Sequence, residues 1–282
     1  MIDRVVVTAF PGYFFMSVLC LQSIHKYFPD TPITIIIDNY DLKLWPDYVS
    51  QYQNYIDSEF ENLDISYKLY TELPKVDDAH MGGWFRQQLI KLHVDHFVNE
   101  DSLLLVDADV ILEEYPRLDN IPANPVPFGP ISAGFHHYIK YMLGIDPWLG
   151  TKEQNLGSSW APVRYVTKQL IQSLRSHVEK IHQKNFLDLH LDLMKQQKIV
   201  AYDPDCNTMI MSEYEMLEVF RRHLWTHPLP LQRGAGNFYH TSEKDWRIDR
   251  GWFESKGVNI ADELWEKVQF FGTNPIYQTG NN

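Results

Sequence analysis

The sequence predicts an α/β fold, a mainly parallel central sheet flanked by helices. Three observations predict it. Residues 4–10 and 33–38 are apolar, β-branched runs, and the stretch between them carries apolar residues at helical spacing through Phe14, Val18, Leu21 and Ile24. That order is a βαβ unit, which places ligands at the carboxyl ends of its parallel strands. Residues 103–112 form another apolar run, suited to a strand covered on both faces. This run contains two acids, Asp107 and Asp109. A carboxylate taken from water must be paired or must bind a cation, so the two acids call for an explanation. One reading ends the strand at Asp107 and turns both acids onto a divalent metal, because hard cations take oxygen ligands. The other makes them acidic turn residues, which the return of the apolar pattern at Val110 weakens.

The other elements follow in order. Pro29-Asp30-Thr31-Pro32 ends the first helix. Residues 47–63 read as a surface-facing helix with Tyr48, Tyr52, Tyr55 and Ile56 on one side, and 65–70 as a strand. A polar loop leads to a helix over 84–98, whose apolar face is Leu89, Leu92 and Phe97. Residues 116–157 are rich in Pro and Gly, and Pro122, Pro125, Pro127 and Pro130 argue against long regular elements there. His136-His137 in this stretch reads as a solvated or stacked pair, and Trp148 and Trp160 suit either sugar stacking or loop anchoring. Residues 163–183 read as a long amphipathic helix and 186–197 as another, with Asp188, His190 and Asp192 solvated. A short strand at 200–202, a helix from 209 to 224, short β segments near 236–240 and a helix at 262–270 complete the chain.

At 282 residues the chain suits one domain, 1–282, in two halves, 1–115 and 116–282. The net charge of -12, with no Lys/Arg run, disfavours nucleic acid and anionic membrane surfaces as partners. Cys20 and Cys206 belong to no metal-binding spacing. No apolar run reaches about 18 residues, so no membrane span is expected, and a cytoplasmic location is the default expectation. No GxGxxG follows the first strand, so a dinucleotide site lacks its fingerprint.

Three stretches carry a family resemblance. Val7-Thr8 with Tyr13 and the helix after it, Ile90-Lys91-Leu92 leading into the Asp107-Ala108-Asp109 strand, and Tyr239-His240 with Lys244 and Trp246 resemble the metal-dependent nucleotide-sugar glycosyltransferases of the Rossmann-like A-type fold, glycogenin-like families among them. The spacing from His240 to Lys244 is shorter than in those families. Gly83-Trp84, Arg86 to Leu92, the Asp-Ala-Asp strand and Ser212-Glu213-Tyr214-Glu215 together resemble a bacterial and viral family of glycosyltransferase-like proteins catalogued mainly as a domain of unknown function.

The resemblance implies an enzyme, a hexosyl- or pentosyltransferase. It would move sugar from a nucleoside diphosphate sugar, UDP-sugar favoured, to a hydroxyl acceptor. A glycan or small molecule is the favoured acceptor, with a modified nucleic-acid base as the other choice. A Mn²⁺ or Mg²⁺ cofactor would neutralise the leaving diphosphate. By the same resemblance Asp109 binds the metal, Asp107 the ribose and metal, His240 is the third metal ligand, and Lys244 contacts the diphosphate. The first half would bind the nucleotide sugar and the second the acceptor. Thr8, Ala9 and Phe10 at the first strand end are placed to meet the base, Tyr13 to stack on it, and Asp38 to accept from base or ribose. Arg86, Lys91 and Gln88, with Gln87 beside it, would turn one helix face toward the donor, although Lys91 also fits as a stem lying along the apolar face. Ser212 and Glu215 form a capping-box pattern. Glu213 is then left at a helix start, where the dipole favours its ionised form; in an inverting enzyme it would act as general base, and in a retaining one it would position the acceptor or donor.

Two other readings stand beside this one. A nucleotidyltransferase or sugar-nucleotide pyrophosphorylase shares a related sheet, but opens with a Gly-rich basic loop that Phe10-Pro11-Gly12-Tyr13 does not resemble. A catalytically inactive sugar-binding protein on the same fold is disfavoured by the retained acids, lysine and late histidine.

Overall fold

A computed structural model of the chain describes residues 2–9, 14–39, 48–75, 83–112, 131–146, 163–200, 208–225 and 238–240. Its centre is a five-stranded sheet ordered β3-β2-β1-β4-β6. Strands β1 (Arg4–Ala9), β2 (Ile33–Ile37), β3 (Ile65–Leu69) and β4 (Ser102–Asp107) run parallel, and β6 (Val163–Thr167) joins β4 antiparallel. Helices α1 (Phe14–Tyr27) and α2 (Tyr48–Glu59) cross over between the first three strands. Helix α3 (Gly83–Lys91) then carries the chain back to the other side of β1. Strand order therefore reverses between β1 and β4, and such a switch point opens a crevice at the carboxyl ends of the strands.

The period-two alternation of the strands feeds two cores. Val5, Val7, Ile33, Ile35, Leu104 and Val106 pack with Leu21, Ile24, Tyr52 and Ile56 from α1 and α2. Val6, Ile36, Leu103 and Leu105 pack on the opposite face with α3, α4 (Ile131–Leu143), α5 (Lys168–His182), α6 (Phe186–Lys195) and α7 (Glu213–His223). Two small pairings complete the described fold. Strands β7 (Ile199–Val200) and β8 (Met209–Ile210) are parallel, and β5 (Val110–Leu112) pairs antiparallel with β9 (Phe238–His240).

Several sequence expectations need correction. Residues 163–183 are not one helix. Residues Val163–Thr167 form a strand, and Thr167 accepts a hydrogen bond from Leu170 N at 3.2 Å, so the helix starts at the cap rather than before it. The helix predicted over 84–98 ends at Lys91 and passes into a 3₁₀ turn, Val94–His96. The Pro-rich stretch holds a helix of 13 residues, α4, which follows Pro130 immediately. Proline obstructs a helix interior, not the position before its first turn. His190 is fully buried rather than solvated, with Nδ1 on Phe186 O at 2.8 Å and Nε2 on the Tyr138 hydroxyl at 2.7 Å. The expectations for Trp148, Trp160, Cys206 and 262–270 lie outside the described residues. No described helix is long and apolar enough to cross a membrane.

Candidate active site at the switch point

Thr8, one residue before the end of β1, is the register partner of Asp107, the last residue of β4. Thr8 Oγ1 donates to Asp107 Oδ1 at 3.1 Å. Helix α3 lies across this gap and supplies the rest of the first half. Lys91 Nζ sits 2.6 Å from Asp107 Oδ1, and Gln87 Nε2 donates to the same oxygen at 3.3 Å and to Thr8 Oγ1 at 3.3 Å. From the second half, the first turn of α7 delivers Glu213, whose Oε1 lies 2.8 Å from Lys91 Nζ. The Lys91 side chain is 2% exposed, so it does not trail along the apolar face but bridges two carboxylates inside the protein. Gln88 lies against Glu213. Turned so that its amide nitrogen faces the carboxylate, it donates to both oxygens, to Oε1 at 3.1 Å.

The local sequence explains these placements. Ser212 caps α7 by accepting from Glu215 N at 3.4 Å, which fixes Glu213 as the first helical residue. In α3, Gln87 and Lys91 are one turn apart, so they reach the same oxygen. Arg86 and Lys91 are five residues apart, a rotation of about 140°, and do not share a target. Arg86 instead forms a buried pair with Asp38 at the end of β2, with Nη2 to Oδ2 at 3.0 Å and Nε to the same oxygen at 3.1 Å.

Burial and charge set the protonation of this cluster. Burial alone would strip the Lys91 proton, but Asp107 and Glu213 outweigh it and hold the ammonium well above its ordinary range. Burial pushes the Glu213 carboxyl up, with Lys91 opposing. Glu215 is pushed up to about 7 by burial, against Arg164 and with the help of Glu213. Its Oε1 has no hydrogen-bond partner among the described residues, so the return half of the expected capping box is not made.

Of the predicted site residues, Thr8, Lys91, Asp107, Glu213 and Gln88 converge at the switch point. Ala9 pairs with Ile37 at the strand ends nearby. Asp109 follows the strand in the turn before β5 and is partly exposed. His240 is described by its strand position alone, where it is the register partner of Val110, one residue from Asp109. Phe10, Tyr13 and Lys244 lie outside the described residues. No group of three or more His, Cys, Asp or Glu side chains that could hold a metal occurs among the described residues, which exclude the His240 side chain. Gln87 was legible only as a neighbour of Gln88. Tyr214 and Arg164 were missed; Tyr214 sits inside the capping pattern, and Arg164 lies in the strand mistaken for helix. The Tyr214 ring meets both Lys91 Nζ, 4.4 Å from its centroid, and the Arg164 guanidinium, at 5.5 Å.

Fold and site together define an α/β protein with a buried acid–lysine–acid cluster at the switch point of its sheet. The chain belongs to the family of unknown function DUF6492, whose model matches residues 16–247. No curated protein matches it. Among solved structures, the galactosyltransferase LgtC in complex with donor and acceptor sugar analogs is 12% identical, with a TM-score of 0.45 over 94% of this chain and 99% of that one. The bifunctional glycosyltransferase WbbM is 14% identical, with a TM-score of 0.35 over 68% of this chain and 37% of that one. The glycosyltransferase GlyE of Streptococcus pneumoniae is 14% identical, with a TM-score of 0.33 over 98% of this chain and 62% of that one.

Proposed function

We propose that this chain is a metal-dependent glycosyltransferase that moves a sugar from a nucleoside diphosphate sugar, UDP-sugar first, to a hydroxyl acceptor. The observation that carries the reading is the Lys91 bridge. It joins Asp107, at the end of a sheet strand, to Glu213, from the second half, at 2.6 and 2.8 Å. A cation locked between acids of both halves suits a site that brings a donor's diphosphate to an acceptor's hydroxyl.

The residues fit a Mn²⁺ or Mg²⁺ ion by their chemistry. Asp107 Oδ1 carries three protein donors, while Oδ2 has one contact among the described residues, at 3.5 Å. Oδ2 and Asp109, joined by the His240 imidazole if its side chain turns toward them, would make an oxygen-rich set with one nitrogen, suited to such ions. When bound, the metal supplies Lewis-acid neutralisation of the leaving diphosphate. Lys91 adds a second positive charge toward the same phosphates. In this reading Thr8 and Ala9 at the end of β1 and the Arg86–Asp38 pair beside β2 would meet the nucleoside, and Phe10, Tyr13 and Lys244, which lie outside the described residues, would keep the base and diphosphate roles that the resemblance implies. Glu213 takes the acceptor hydroxyl's proton. Its raised proton affinity strengthens it as a base, and Lys91 keeps it ionised. A second reading is favoured by the same salt bridge: Glu213 acts only as the counter-ion that positions Lys91.

A transfer and hydrolysis screen over UDP-, GDP- and CMP-sugars, with and without Mn²⁺, tests the class. Binding of no nucleotide sugar, together with unchanged Mn²⁺ affinity in Asp109→Ala, would overturn it. Glu213→Gln separates the two roles. As base, its loss lowers kcat by about 10²- to 10⁴-fold with donor KM held. As counter-ion, its loss raises donor KM instead.

A further inference from the structure

The two oxygens of Asp107 are used unequally. Oδ1 is held by Lys91, Thr8 and Gln87, while Oδ2 faces the Tyr214 hydroxyl at 3.5 Å, near the outer limit of a hydrogen bond. The same Tyr214 presents its ring to the Lys91 ammonium at 4.4 Å, a cation–π contact. Lys91 is thus fixed from three sides, by Asp107, Glu213 and Tyr214. Tyr214 is partly exposed as a residue, whereas Lys91 and Glu213, which it lies against, are buried. Neither contact is needed to hold α7 in place, because the apolar face of that helix, through Met216, Leu217 and Phe220, already packs in the core.

We propose that Tyr214 is a positioning residue of the cation–diphosphate site: its hydroxyl steers Oδ2 of Asp107, and its ring holds the Lys91 ammonium. This rests on the glycosyltransferase reading above. The hydroxyl is the described hydrogen-bond donor to Oδ2, at 3.5 Å, and would set the direction in which that oxygen meets a metal. A ligating carboxylate oriented by such a partner binds more tightly, and loss of the partner weakens metal binding by about 10- to 100-fold. The ring acts separately. Without it Lys91 is held by two carboxylates alone, and its charge turns away from the phosphates.

The test is direct binding of Mn²⁺, read by loss of the free-ion EPR signal, and of UDP without metal, read by calorimetry. Tyr214→Phe removes only the hydroxyl. It is expected to weaken Mn²⁺ about tenfold, with metal-free UDP affinity and melting temperature unchanged. Tyr214→Leu is expected to weaken metal-free UDP binding as well. In an Asp107→Asn background, Tyr214→Phe is expected to cause no further loss of Mn²⁺ affinity, because both act through one oxygen. Mn²⁺ affinity of Tyr214→Phe within twofold of the parent, or an equal loss with and without Asp107, overturns the proposal. A parent protein that binds neither Mn²⁺ nor UDP overturns the functional reading first and this one with it.

Discussion

At the scale of single residues, burial decides which charges matter. Arg86 and Asp38 are both 2% exposed and hold each other by several bonds. Removing one partner of a buried ion pair costs about 3–5 kcal/mol. Asp38→Asn should therefore lower stability by that order in urea unfolding, whereas a double variant, Asp38→Leu with Arg86→Met, should recover most of it. Glu215 behaves differently because burial outweighs the pull of Arg164. Its folded carboxyl holds a proton up to about pH 7, above the ordinary 4.5 of the unfolded chain. The folded state then binds the extra proton between these values, so stability is full below pH 4.5 and falls as pH rises toward 7. A shift of that size is worth up to about 3 kcal/mol. Glu215→Gln should remove this slope in denaturation curves measured from pH 4 to 8. His190 acts in the opposite sense. Burial lowers it to about 4, so its contribution is present above pH 6.5 and is lost in acid.

At the scale of elements, close packing makes its own demands. Helix α4 crosses β8 so tightly that a Cβ on Gly134 would lie 2.6 Å from Ile210 Cγ1. The obstructing atoms belong to a β-branched side chain held in a strand, which cannot swing aside. Gly134→Ala should destabilise the protein by about 1–3 kcal/mol, and Ile210→Ala in the same chain should relieve part of that, measured as a double-variant cycle. Elements of this kind divide into legible and illegible ones. Strands β1, β2 and β4 are apolar runs, and α1 and α6 have clear helical spacing, so local pattern alone predicted them. Strand β6 was hidden because Thr167 joins it to α5 without a break, and a helix pattern that strong absorbs the residues before its cap. Helix α4 was hidden by the prolines that precede it. Within the site, Lys91, Asp107 and Glu213 were legible as residue types in motifs. Their mutual bridge was not, because the pairing of residues 122 positions apart is set by the packing of α3 beside α7.

At the scale of the whole molecule, the site is one place where the two halves of the chain are tied by charge, beside the Arg175–Asp95 and Lys75–Asp188 pairs. Helix α3 belongs to the half that builds the parallel sheet, and α7 to the half that follows β6. Both lie in the same core, but Lys91–Glu213 is the ionic link between them at the switch point. A ligand that replaces the Lys91 contacts to Asp107 with its own must act on both helices at once. Binding to the folded state alone stabilises it by about 2.7 kcal/mol at a hundred times Kd. UDP with Mn²⁺ at that level should therefore raise the melting temperature and slow amide exchange in α3 and α7 together. In Glu213→Gln the same ligands should still protect α3 while α7 loses its share. Protection confined to α3 in the parent protein would mean that the second half contributes no contact to the bound donor, and the role given to Glu213 would fall with it.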